Sequence, residues 1–165
     1  MKALDDNYDA RVRESFARQR IMATIGAVVA RVAPGEVDIR LPIRADLTQQ
    51  NGFLHAGAIA AVADSACGYA ALSLMPADAD VLSIEFKVNM LSPAQGDAIV
   101  ARGSVIRAGR TIMVCRADVY ASSGSSEKLV AAMQGTMMVV LREAGRGNGE
   151  EGTGRTKTAG SGNRE

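Results

Sequence analysis

The period of the apolar positions changes several times along the chain, and each change marks an element boundary. Residues 7–22 set Val12, Phe16 and Ile21 among alternating charges, which predicts an amphipathic surface helix. Residues 27–32 and 36–41 are rich in β-branched side chains and flank Ala33-Pro34-Gly35, so they predict a hairpin. Residues 42–54 are polar and irregular, with a turn signal at Asn51-Gly52. Residues 54–75 are then almost continuously apolar, with Asp64 as the only carboxylate and no Lys or Arg.

After Pro76 the period falls to two. Leu82, Ile84, Phe86, Val88 and Met90 alternate with Ser83, Glu85, Lys87 and Asn89, which predicts a half-buried strand whose apolar set meets the core. Residues 98–107, 111–121 and 128–141 read as three more strands, divided by Ala108-Gly109-Arg110 and by the Ser/Gly run that starts at Ser122. Short turns imply antiparallel neighbours. The order is helix, two strands, one long apolar helix, four strands. It predicts an α+β protein in which one antiparallel sheet of about six strands covers a central helix, with an extra helix at the N-terminus.

The apolar run over 54–75 has the length of a membrane span, but it is built from Ala and Gly and carries an acid at its middle, which is expensive in hydrocarbon. A helix buried on every side inside one domain fits it better. The expected division is an accessory helix over 1–20, one domain over 21–141, and a tail over 142–165. That tail holds seven glycines with only Ala144 and Ala159 as apolar residues, and is expected to be disordered.

Composition narrows the function classes. Nineteen Lys and Arg against eighteen Asp and Glu give a net charge of +1, without the basic excess of a nucleic-acid binder, and no such partner is expected. Cys67 and Cys115 sit in apolar runs without metal-ligand or disulfide-framework spacing and read as reduced core thiols. The start, Met-Lys-Ala-Leu-Asp-Asp, lacks the apolar core of a signal peptide, so a cytoplasmic location is expected. No phosphate-binding loop, dinucleotide-type Gly-rich turn or metal-ligand spacing is present.

Two constellations carry candidate chemistry. An ionised carboxylate in an apolar helix is costly to bury, so Asp64 either serves a reaction, is satisfied by a backbone N–H or an Arg, or lies on an exposed stripe with Ser65. The second constellation is Gln49-Gln50-Asn51-Gly52-Phe53-Leu54-His55-Ala56-Gly57, where a turn feeds a helix whose first N–H groups lack partners and suit an oxyanion. Small residues at Ala56 and Gly57 would admit a carbonyl close to that backbone, or would serve tight helix packing. His55 is the lone histidine. Without a Ser-His-Asp or Cys-His pattern, a role in orienting the loop outweighs one as a general base.

Residues 49–69 resemble the signature of hot-dog thioesterases of the phenylacetate-degradation (PaaI-like) type, and the similarity extends over about 21–141. That family carries an amide residue, Gly-x-x-His-Gly-Gly and an acid on the central helix; here these are Gln49, Gly52-Phe-Leu-His55-Ala56-Gly57 and Asp64. Ser83 and Ser92-Pro93 match later elements of the pattern, and Ala56 departs from it by a methyl group. Gln50 and Asn51 are neighbouring alternatives for the amide.

The resemblance implies a hot-dog fold and hydrolysis of a medium-chain, long-chain or aromatic acyl-CoA. Asp64 would act as base or nucleophile, the Ala56 N–H would polarise the carbonyl, and Gln49 and Ser83 would position water or the acyl group. Strand alternation sets Ser83 on the face away from the core, so that role needs a bulge or a face covered by the partner copy. Gly57 and Asn51 would line the substrate site. Arg110, or Arg107, would meet CoA phosphates, unless it is merely a solvated turn charge. The methionines would line an acyl tunnel or simply pack the core.

No cofactor is expected, coenzyme A being part of the substrate, and no metal. Ala56 and Asp64 are eight residues apart, about 12 Å along a helix. They can meet one thioester only from different copies, so a homodimer is expected, assembling further to a tetramer. The alternatives are a non-catalytic hot-dog module that binds acyl-CoA or a fatty acid, and a hydratase or dehydratase, which would place a His-Asp or His-Glu pair at the helix.

Overall fold

A computed structural model describes residues 1–142 of the chain, so the tail expected to be disordered lies, from residue 143 onward, outside the described residues. The elements run α1 (Tyr8–Ala17), α2 (Arg20–Ile25), β1 (Val28–Ala33), β2 (Glu36–Pro42), a 3-10 turn (Ala45–Leu47), α3 (Ala56–Leu72), β3 (Ala79–Met90), β4 (Ala98–Ala108), β5 (Ile112–Ser123) and β6 (Ser126–Leu141). The strands form one six-stranded sheet in the order β1-β2-β4-β5-β6-β3, with every pairing antiparallel. Strands β2 to β6 all pack on α3. This is the α+β arrangement expected of a hot-dog fold, a sheet wrapped round one central helix.

The Ala/Gly composition of α3 is what lets the sheet come so close. At Gly103 of β4, a Cβ would lie 2.3 Å from the backbone oxygen of Ala66, so helix and strand touch main chain to main chain. Ala63, Ala66, Cys67, Ala70 and Ala71 are fully buried against Ile39, Leu41, Ile99, Val119 and Met137. Among the described residues, no helix is long and apolar enough to cross a membrane.

The single N-terminal helix expected over residues 7–22 is two helices. The chain leaves helical geometry at Gln19 (ψ 91°), and α2 starts at Arg20. Burial explains the break. Val12 and Met22 are the buried residues of the two helices, while Ile21 stays 55 % exposed. Met22 lies six positions after the half-buried Phe16, a spacing that no continuous helix keeps on one face. From α1, the Arg11 guanidinium donates to the carbonyls of Leu72 and Met75 at 2.6 and 2.8 Å and also reaches Pro76, closing the C-terminal end of α3.

The alternation expected along β3 holds only in part. The register slips between Ser83 and Glu85, so Val81 and Ser83 before the slip, and Phe86, Val88 and Met90 after it, pair with the inward-facing Val139, Met137, Gly135, Met133 and Ala131. Leu82 is left on the outer face, and neither it nor Ile84 meets the core; they are 56 % and 51 % exposed. The β-bulge inserts one unpaired residue and inverts the faces beyond it.

Candidate active site

Asp64 sits on the third turn of α3, on the side facing β3, and is half-buried. The bulge turns Ser83 inward, and its hydroxyl donates to Asp64 Oδ1 at 2.7 Å while lying 3.4 Å from the Met137 sulfur. Among the described residues, Oδ2 has no hydrogen-bonding partner and Asp64 has no ion pair. The acid is thus held by one neutral donor at the wall of a cleft of about 340 Å³. Ser15, Gln19, Ser65, Gly68, Tyr69 and Asp80 also line that cleft. Ser65 Oγ meets Gln19 Oε1 at 3.3 Å, tying α3 to the α1–α2 junction. The Asp80 carboxyl is held below the ordinary carboxylate range, chiefly by its bonds from Arg142, and burial pushes the Tyr69 hydroxyl up.

At the other end of α3, His55 is the N-cap. It leaves the helix with ψ 136°, and its Nδ1 accepts from the Gly57 N–H at 2.9 Å. Its carbonyl accepts from Ala58 and Ile59. The Ala56 N–H, at the first helical position, donates to no group among the described residues. Ala56 opens onto a second cleft, of about 360 Å³, with Gln49, Phe53, Ile59, Met90 and Pro93 in its walls. A turn with Gly52 at φ +82° places Gln49 there, and the Asn51 N–H donates to its side-chain oxygen. Asn51 itself is exposed.

Within one chain, then, the predicted residues fall into two groups. Asp64 and Ser83 share one cleft; Ala56 and Gln49 share another, with His55 and Gly57 facing a third depression beside Ile21 and Ile25. Arg110 is exposed in the β4–β5 turn and lines none of these clefts. Ser15, Gln19 and Asp80 were not legible as site residues. Gly68 had a signal, its position one turn after Asp64 on the same helix face.

Burial pushes the Cys115 thiol up to about 12 and Cys67 higher still, so neither supplies a thiolate nucleophile. Among the described residues, no group of three or more His, Cys, Asp or Glu has metal-binding geometry.

Residues 51–128 match the model of the Thioesterase superfamily. A solved thioesterase family protein from Silicibacter pomeroyi is 48 % identical over 81 % of this chain and 98 % of its own, with a TM-score of 0.80. A Halobacterium salinarum protein named as a candidate esterase is 31 % identical over 65 % of this chain and 74 % of its own. The 1,4-dihydroxy-2-naphthoyl-CoA hydrolase of Listeria monocytogenes is 24 % identical over 72 % of this chain and 94 % of its own. The chain belongs to the thioesterase superfamily of hot-dog proteins, and the PaaI-like resemblance read from residues 49–69 fits it. The PaaI protein of Escherichia coli shares the fold, with a TM-score of 0.74 at 17 % identity.

Proposed function

We propose that the protein is an acyl-CoA thioesterase in which Asp64 is the base or the nucleophile and the Ala56 N–H of a second copy polarises the thioester carbonyl. The observation that carries this reading is Asp64 itself. A carboxylate with one neutral donor, one free oxygen and no cation, facing a cleft, is arranged to act on something that enters it. As base, its free oxygen takes a proton from water as the water attacks the carbonyl carbon. As nucleophile, it forms an anhydride that water then cleaves. On either route the C–S bond breaks and coenzyme A leaves as the thiolate. Ser83 orients the carboxylate, and Gln49 binds the acyl carbonyl or the water.

Two copies are required on geometric grounds. In an antiparallel pairing of α3 helices about a two-fold axis, residue i meets its mate at a fixed sum of positions; an axis near Ala60 sets Ala56 of one copy opposite Asp64 of the other. Ala60 and Ala61 are half-exposed and small enough for close helix approach. Strand β3 supports the same pairing, being an edge strand of the sheet that exposes Leu82, Ile84, Phe86 and Met90. We place the protein in the cytoplasm as a homodimer, assembling further to a tetramer, with no cofactor beyond the CoA of its substrate and with the exposed Arg110 meeting the CoA phosphates.

The test is hydrolysis of a panel of acyl-CoA thioesters followed by free-thiol release. Asp64→Asn is expected to remain folded and lose at least a thousandfold in kcat/KM, about 4 kcal/mol of transition-state stabilisation. Near wild-type turnover in that variant would overturn the assignment. A single turnover in ¹⁸O-water separates the two routes, since only the nucleophile route leaves label in the Asp64 side chain. The competing reading, a module that binds acyl-CoA without turnover, predicts binding that is indifferent to Asp64.

A further inference from the structure

Strand β3 is an edge of the sheet, and it carries a short charge pattern, Glu85-Phe86-Lys87, that is its own complement when the strand is turned end for end. Glu85 and Lys87 stand on the outer face, across from Thr136 and Gln134 of β6, and line one depression there. Phe86 lies between them on the face toward α3, across from Gly135, yet it is 44 % exposed because nothing covers the edge. Among the described residues neither charge is in an ion pair. One Glu85 oxygen accepts from the Thr136 hydroxyl, which leaves the other for a cation.

A two-fold axis normal to the sheet keeps outer residues on the outer face, and directly opposed side chains in an antiparallel ladder share a face. Such an axis therefore passes beside one residue, which then meets itself in the other copy. An axis at Glu85 opposes two carboxylates, and an axis at Lys87 opposes two ammonium groups. An axis at Phe86 opposes two rings on the inner face and sets Glu85 against Lys87 of the other copy, twice.

The central helix locates the axis independently. A Cβ on Gly68 would lie 4.0 Å from Val81, and Asp64 bonds Ser83 at 2.7 Å, so four residues back along α3, about 6 Å, match one step from Val139 to Met137 on β6. The next step on β6 reaches Gly135, whose mate beyond the bulge is Phe86, while four residues back from Asp64 is Ala60. The axis selected by the strand charges is thus abreast of Ala60, where the proposed chemistry needs it to bring Ala56 opposite Asp64. Without the bulge, Glu85 would hold that place and face its own copy.

We propose that Glu85 and Lys87 are a register code for self-association, fixing β3 against β3 of a second copy about Phe86, and that the β-bulge before them brings this axis level with Ala60. The proposal rests on the two-copy arrangement of the thioesterase reading and on none of its chemistry.

Single cysteines in the full chain read the register, the native Cys67 and Cys115 being buried. Under mild oxidation, Glu85→Cys and Lys87→Cys should each give little covalent dimer alone and a mixed covalent dimer when refolded together, and Phe86→Cys should couple to itself. Hydrogen-bonded and non-hydrogen-bonded pairs alternate along the ladder, so one of these two couplings has the closer spacing. Charge exchange tests the code. Glu85→Lys and Lys87→Glu chains, unfolded and refolded together, should give roughly nine mixed dimers in ten by native mass spectrometry, against about half for random pairing, if the two opposite-charge contacts favour the mixed dimer about tenfold over each homodimer. Both substitutions in one chain should restore homodimers. Dominant self-coupling of Glu85→Cys or Lys87→Cys, random mixing of the charge variants, or a monomeric parent overturns the proposal. The expected couplings in a protein that hydrolyses no acyl-CoA would uphold the register and sink the catalytic reading, whereas hydrolysis by a dimer coupled elsewhere would do the reverse.

Discussion

At the residue scale, the site turns on two side chains and one backbone N–H. Asp64 has one neutral donor, which orients it without neutralising it. His55 spends Nδ1 on the Gly57 N–H, so its plain physical role is that of a helix cap. Substitution separates a cap from a proton carrier. His55→Ala should lower stability by about 1 kcal/mol in urea unfolding, whereas His55→Asn, a good N-cap, should restore both stability and most of the activity. If His55→Asn is as stable as the parent yet inactive, the histidine moves a proton after all. The oxyanion donor has a sharper probe. Proline is tolerated at the first helical position and removes only the N–H, and the ψ of 136° at His55 suits a residue before proline. Ala56→Pro should therefore fold normally, and kcat should fall about a hundredfold to a thousandfold in the free-thiol assay. Retained activity would show that the donor lies elsewhere.

At the element scale, the central helix and the sheet make demands of unequal strictness. Gly103 faces the main chain of α3, which cannot swing aside as a side chain can. Gly103→Ala should cost roughly 1–3 kcal/mol or more, read as a lower urea midpoint, while Gly68→Ala, whose Cβ would meet only Val81 Cγ1 at 4.0 Å, should keep or raise the midpoint, since Ala is favoured over Gly inside a helix by about 1 kcal/mol. Equal midpoints for the two would contradict the close packing of β4 on α3. The same contrast explains what the sequence could disclose. The Ala/Gly run around Asp64, the hairpin at Gly35 and the period-two strands were legible because periodicity and turn residues are local signals. The bulge in β3 was legible only as one of two ways for Ser83 to reach the site, and its place was not, because the slip between Ser83 and Glu85 exists only relative to β6. Alternation alone put Ser83 on the wrong face. The break at Gln19 and the reach of Arg11 to the end of α3 were equally hidden, since both answer to burial across the fold rather than to neighbours in sequence.

At the scale of the whole molecule, the two halves of the candidate site are present in every chain but never together. Asp64 with Ser83 and Ala56 with Gln49 open onto separate clefts, about 12 Å apart along one rigid helix. No side-chain movement closes that gap, so the proposed chemistry calls for a second copy, and in that proposal the apolar edge strand β3 is the surface on which the copy would pair. Two experiments follow from that geometry. Placing charge on the edge, as in Ile84→Lys with Phe86→Glu, should give a monomer in analytical ultracentrifugation and abolish turnover, although none of the groups proposed for chemistry has been altered. Complementation is stricter. Asp64→Asn and Ala56→Pro, each nearly inactive alone, are unfolded together and refolded at equal concentration. Random pairing makes about half of the dimers mixed, each with one intact site of two, so activity should return to about a quarter of wild type. A site contained in one chain predicts no recovery at all, because every chain in the mixture carries one lesion. Recovery would show that one copy supplies the acid and the other the helix end.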